Sequence, residues 1–222
     1  MVLDYKIEFS QVLRGDIIPR REREIVVGIS GASGVCYGIK LLEVLSQCHC
    51  KTHLIMTDAA RKIVEIETDE KPQNLERITD YVYSPRDFTA PIASGSHIFE
   101  AMIVAPCSMR TLAGIANGIT DTLLSRAADV CLKERRRLVL VPRESPLNLI
   151  HLKNMVKVTE AGAIILPPCP GFYSRPQNLD DLVNVVVGRI LDIIGVEHHL
   201  YDRWGTLQSG NTYNDENPSK ER

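Results

Sequence analysis

The chain has 222 residues, 44% of them hydrophobic, and a formal net charge of −2. That length supports one sizeable core in one domain, and the near-neutral charge argues against nucleic acid or an anionic membrane as the main partner. No apolar run approaches the ~20 residues of a membrane span, and six cysteines with no C-x-x-C pair predict free thiols in a reducing compartment.

Residues 1–23 mix Arg14, Arg20, Arg21 and Arg23 with Asp4, Glu8, Asp16 and Glu22, and they lack an apolar h-region. They read as an extension rather than a signal peptide, and the acids weigh against a mitochondrial presequence. Ile25-Val26-Val27 then enters Gly28-Ile29-Ser30-Gly31-Ala32-Ser33-Gly34, and an amphipathic run covers 35–45. This reads as strand, tight loop and helix, with Ser33 at the N-cap position. Backbone N–H groups at such a helix start attract a phosphate. The G-x-x-G-x-x-G spacing is neither the dinucleotide fingerprint nor a P-loop, and a plain βα turn without ligand has the same pattern. Cys48-His49-Cys50 follows at the helix end and has no partner pair, so it reads as incidental rather than metal-binding.

A second strand is expected over 52–56. Thr57-Asp58 caps a helix over 59–67, and a short helix is expected over 76–83. Residues 101–105 form a buried strand ended by Pro106. Ser108 caps the next helix, with Leu112, Ile115 and Ala116 facing inward, and Asp121 caps another over 122–134. Residues 138–141 form an apolar strand ended by Pro142, with a helix over 147–157 behind it. A last strand over 163–166 is closed by Pro167-Pro168. Residues 180–194 form a strongly periodic final helix, and 206–222 read as a polar, disordered tail. Strands apolar on both faces and separated by helices imply a mostly parallel sheet covered on two sides. The expected fold is a Rossmann-like or flavodoxin-like three-layer α/β sandwich over 24–205. Ligands of such sheets gather at the carboxyl ends of the strands. The loops at 30–34, 57–58, 106–111, 142–144 and 167–173 should therefore converge.

Those loops carry the candidate chemistry. Ser108, Met109, Arg110 and Thr111 offer hydroxyls and a helix start, suited to a phosphate or the edge of a heterocycle, although Ser108 also serves as an ordinary cap. Arg143 can bind a phosphate or an electron-rich ring edge. Glu144 can act as an acid or base, or simply pair with its neighbour. Pro170-Gly171-Phe172-Tyr173 is a stiff aromatic loop able to close over a ligand. Arg126 and Lys133, seven apart, share a helix face. Glu67 ends its helix, where a lone Glu is usually solvated, and Ala93-Ser94-Gly95-Ser96 allows close approach of a ligand or another chain.

Together, eight segments in order and spacing resemble the UbiX/Pad-type flavin prenyltransferases. They are Gly28 to Gly34, Glu67-Thr68-Asp69, Ala93-Ser94-Gly95-Ser96, Pro106-Cys107-Ser108-Met109-Arg110-Thr111-Leu112, Arg126-Ala127-Ala128-Asp129-Val130, Leu132-Lys133-Glu134-Arg135-Arg136, Val141-Pro142-Arg143-Glu144 and Pro170-Gly171-Phe172-Tyr173. The resemblance implies a metal-independent enzyme. It would join a dimethylallyl group from dimethylallyl monophosphate to N5 and C6 of reduced FMN, making prenylated FMN for a UbiD-type decarboxylase. Without a metal, cations and hydroxyls would meet the leaving phosphate, and aromatic faces would stabilise a carbocation-like prenyl fragment.

By resemblance, Gly31, Ala32, Ser33, Thr57, Ser108, Met109, Arg110, Thr111 and Arg143 would contact FMN. Ser33, Glu144, Glu67 and Lys133 would belong to the reacting centre, with Glu144 as the leading proton-transfer group. Tyr173, Arg189, Arg126, Lys133 and Trp204 would serve the donor phosphate and prenyl group, with Glu67 and Trp204 supplied by neighbouring subunits. A homo-oligomer, a dodecamer of trimers, is implied. Position 110 departs from the family, being Arg where many members carry Lys or Gly. The cytoplasm is the expected compartment, ahead of the mitochondrion. Two alternatives use the same fold: an FMN-dependent oxidative decarboxylase of the cysteine type, which would rely on a catalytic His, and a non-catalytic flavin-binding partner subunit of a decarboxylase.

Overall fold

A computed structural model describes residues 22–205. The expected N-terminal extension, all but its last two residues, and the expected polar tail lie outside the described residues. Strands β1 (Arg23–Ile29), β2 (Cys50–Met56), β3 (Tyr81–Tyr83), β4 (Ala101–Cys107), β5 (Arg137–Pro142) and β6 (Ile164–Ile165) form one parallel sheet in the order β3-β2-β1-β4-β5-β6. Helices α1 (Val35–Gln47), α2 (Asp58–Glu67), α3 (Pro72–Arg77), α4 (Met109–Ala116), α5 (Leu123–Lys133), α6 (Leu149–Glu160) and α7 (Leu179–Ile194) accompany it. This is the expected doubly wound α/β sandwich.

Side chains alternate between the two faces of each strand, and both faces are covered. Ile25, Val27 and Ile29 of β1 and Ile103 of β4 pack with Leu41 and Leu45 of α1 and Val187 and Ile190 of α7. Val26, Met102 and Val104 pack on the other face with Leu112 of α4, Leu124 and Ala127 of α5 and Val158 of α6. The helix after β1 and the helix after β4 thus lie on opposite faces. Because β1 and β4 are neighbours, the chain parts between their carboxyl ends. That parting is where a doubly wound sheet opens a crevice for a ligand.

Several expected boundaries differ. The helix expected over 76–83 is instead α3, which begins at Pro72 and caps at Ile78, followed by β3. Proline's fixed φ suits the first helical turn. Tyr81-Val82-Tyr83 is an aromatic and β-branched run that pairs with His53, Leu54 and Ile55 of β2. Pro106 does not end β4, which runs on to Cys107 through a register shift against β5. Thr122, not Asp121, caps α5, in a reciprocal capping box with Ser125. The last strand shrinks to two residues. Ser33 is not the cap of α1: that position is Gly34, at φ 94°, a left-handed conformation that disfavours side chains.

Candidate active site

Four of the five expected loops meet, and the Ser30 hydroxyl ties two of them; the loop at 167–173 does not line the cavity they form. Ser30 is fully buried just after β1. Its hydroxyl donates to the Pro106 carbonyl at 3.0 Å and accepts from the Ser108 N–H at 2.8 Å. Its own N–H donates to the same Pro106 carbonyl at 3.2 Å, and Thr57 N–H donates to Ile29 O at 3.0 Å. Arg143 N–H reaches Cys107 O at 3.2 Å and brings in the loop after β5. Gly31 lets the first loop approach α2, because a Cβ there would lie 2.6 Å from that of Ala59.

The start of α1 is served by a residue from another helix. The Glu67 carboxylate, at the end of α2, accepts from the N–H of Gly34 at 2.8 Å and of Val35 at 3.2 Å. Burial alone would raise its pKa. Hydrogen bonds from Ser33, Gly34 and Val35, with the nearby Arg143 charge, outweigh burial and hold it below the ordinary carboxylate value. Two of the N–H groups expected to attract a phosphate are thus engaged by an internal anion. At α4, Ser108 accepts from Thr111 N–H at 3.3 Å and donates to the Thr111 hydroxyl at 3.1 Å.

A cavity of about 640 Å³ opens at these strand ends, within the size range of small-molecule sites. Six of the nine residues expected to contact a cofactor line it: Gly31, Thr57, Ser108, Met109, Arg110 and Thr111. Ala32, Ser33 and Arg143 do not line it, and Ser33 and Arg143 act on Glu67 instead. Glu144 borders the cavity, its carboxylate accepting from Ser145 N–H at 3.0 Å. Arg86, Thr122 and Ser125 also line it and were not foreseen. Arg86 lies in a loop without a motif, whereas the capping pair Thr122 and Ser125 had a helix-start signal but none for a pocket. Cys107, beneath the site, is no nucleophile, since burial pushes its thiol up to about 12.

The remaining expected residues form separate groups. Tyr173 and Trp204 meet edge to face, with ring centroids 5.3 Å apart. Arg189 pairs with Asp192 at 3.1 Å. Asp192 also accepts from Tyr201 at 2.7 Å and Arg203 at 2.6 Å, and lies 3.1 Å from His198. Burial would raise the Asp192 pKa, but the bonds from Arg203, Tyr201 and His198 hold it far below the usual range. This carboxylate anchors the segment that carries Trp204, a role with no local sequence signal. Arg126 donates to Ala93 O at 3.0 Å and pairs with Asp129. Lys133 pairs with Glu134 beside Gly95. Lys133 stands eight residues, or ~12 Å of helix, beyond the cavity-lining Ser125. The chain does not bring Lys133 to its own cavity.

Residues 19–191 match the family model described as Flavoprotein. The mitochondrial flavin prenyltransferase PAD1 of Saccharomyces cerevisiae is 46% identical, over 90% of this chain and 83% of that protein. Among solved structures, AnUbiX (PadA1) in complex with FMN and dimethylallyl pyrophosphate superposes with a TM-score of 0.82 at 49% identity, covering 83% of this chain and 98% of that one. This chain belongs to the UbiX flavin prenyltransferase family. A dodecameric FMN-dependent UbiX-like decarboxylase from Escherichia coli O157:H7 gives a TM-score of 0.80 at 46% identity, covering 82% of this chain and 98% of that one. The family expected from eight sequence segments is therefore the observed one.

Proposed function

We propose that this UbiX-family chain transfers a dimethylallyl group from dimethylallyl monophosphate to reduced FMN, and that the prenylated FMN serves a UbiD-type decarboxylase. The observation that carries the reading is the cavity between the ends of β1 and β4, lined by Gly31, Thr57, Ser108, Arg110, Thr111 and Glu144. Its donor set suits FMN: Ser108 at a helix start, the Thr57 and Thr111 hydroxyls, and the Arg110 cation to meet a phosphate. Reduced FMN supplies electron-rich N5 and C6 as the prenyl acceptors.

The chain's own residues do the rest. Arg110 holds phosphate charge, and Glu144 at the cavity rim moves a proton between the reacting centre and solvent. Tyr173, Trp204 and Arg189 stand outside this chain's own cavity; where copies meet, the aromatic pair shields the prenyl group and Arg189 meets the donor phosphate. Lys133 and Arg126 act on the site of an adjacent copy, which requires a homo-oligomer. The dodecameric relative supports that assembly. So does the exposed apolar face of α6, formed by Leu149, Ile150, Leu152 and Val156. No helix among the described residues is long and apolar enough to cross a membrane. All six cysteines are free, which supports a reducing compartment such as the cytoplasm, although the yeast relative is mitochondrial by name.

The cysteine-decarboxylase alternative needs a catalytic histidine, and no histidine lines the cavity. Mass spectrometry of the flavin after anaerobic incubation with reduced FMN and dimethylallyl monophosphate tests the proposal. A gain of one prenyl unit is expected. FMN recovered unmodified with both mono- and diphosphate donors would refute it.

A further inference from the structure

At the opposite end of the sheet from the cavity, three side chains from distant parts of the chain converge. Glu24 near the start of β1, His53 of β2 and His97 in the loop before β4 place one ligand atom each within 4.8 Å of one another. Glu24 Oε2 lies 3.1 Å from His53 Nε2 and 3.0 Å from His97 Nε2. His53 is fully enclosed, at 2% side-chain exposure, whereas Glu24 and His97 reach solvent at 18% and 27%.

The surroundings hold both rings in place. His53 Nδ1 is 3.0 Å from the Tyr83 hydroxyl, and the Tyr81 ring stacks on the imidazole at 4.7 Å. With Nδ1–H donating to Tyr83, the Nε2 lone pair faces Glu24, the tautomer a metal-binding imidazole needs. The His97 loop is clamped by Arg136, which donates to the His97 and Gly95 carbonyls at 2.9 and 2.7 Å. A hydrogen-bonded His53–Glu24 pair accounts for His53 alone. His97 Nε2 is a buried nitrogen that lies 3.0 Å from the same oxygen without forming a hydrogen bond to it or to any other group. A cation between the three atoms would satisfy both imidazoles and the carboxylate together.

We propose that Glu24 Oε2, His53 Nε2 and His97 Nε2 form a site for one divalent cation of the zinc class. Two imidazole nitrogens and a carboxylate oxygen suit such an ion. Water would complete the coordination as a fourth ligand. The ion would staple the 94–100 loop to β1 and β2. It would stand apart from the transfer reaction, and so it does not depend on that reading.

The test uses the untagged full chain after EDTA treatment and dialysis, titrated calorimetrically with Zn²⁺ and spectroscopically with Co²⁺. One equivalent should bind, the Co²⁺ spectrum should lack a thiolate charge-transfer band, and Zn²⁺ should raise Tm. His97→Ala, at the most exposed ligand, should weaken binding by more than about 100-fold, beyond the ~10–100-fold effect of outer-shell partners, and abolish the Tm rise. Glu24→Gln should do the same. Absence of binding, a thiolate band placing the ion on cysteines such as Cys48 and Cys50, or affinity unchanged in His97→Ala would each overturn the proposal.

Discussion

Replacing Ser30 with Ala tests the reasoning about how the site is held. The hydroxyl is fully buried and joins the loops after β1 and β4. In Ser30→Ala the Pro106 carbonyl keeps the Ser30 N–H as a donor at 3.2 Å. The Ser108 N–H loses its acceptor at 2.8 Å. One part-buried group is therefore orphaned, not two, and the cost is about 1–3 kcal/mol. In a domain of this size each kcal/mol moves Tm by ~2–4 °C, so Tm should fall by roughly 2–12 °C. Ser108 also borders the cavity, so FMN affinity, read by quenching of flavin fluorescence, should fall with it. Circular dichroism melts of both proteins without ligand give the first quantity. A Tm within about 1 °C of the parent, below the smallest expected shift, together with unchanged FMN affinity, would refute the role assigned to Ser30.

Glu67→Ala should destabilise the ligand-free protein by ~1 kcal/mol, the usual loss of a helix cap. Because the folded pKa of Glu67 is depressed, its contribution is complete above the ordinary value of 4.5 and is lost as pH falls through the folded value. The Tm gap to the parent should therefore be constant from neutral pH to about pH 5 and close in stronger acid; a gap that widens in acid would contradict the assignment. Asp192→Asn should loosen the 195–205 segment, seen as faster tryptic cleavage at Arg203, and equal cleavage rates would deny Asp192 its anchoring role. Glu144→Gln should bind FMN normally yet lose prenyl transfer, and full turnover would remove Glu144 from the mechanism. Arg189→Ala should raise the KM for the prenyl donor more than it weakens FMN binding, whereas equal losses would indicate a structural role.

The alternation of apolar runs with amphipathic ones already determines the layered sheet, because each strand and helix writes its periodicity over a few adjacent residues. The loop convergence follows from that pattern through a general rule of parallel sheets, and Ser108 and Thr57 were legible as caps from neighbouring residues alone. Local signals failed where partners lie far apart in sequence. β3 is a strand because β2 offers an edge to Tyr81-Val82-Tyr83, and β4 passes through Pro106 because β5 pairs with it again at Cys107.

The same limit governs the site. Glu67 reads as a solvated helix end until folding sets it against Gly34 and Val35. Lys133 and Arg126 look like cavity cations until the helix rise carries Lys133 away from its own cavity. Arg86 and the Glu24–His53–His97 group have no motif, since their geometry comes from segments tens of residues apart, and the Asp192 cluster forms only because the chain turns back on α7 after Ile194. Composition and periodicity determine which elements form and which ends of them meet. Only the packed chain decides which charges face each other, because that depends on distances no local spacing encodes.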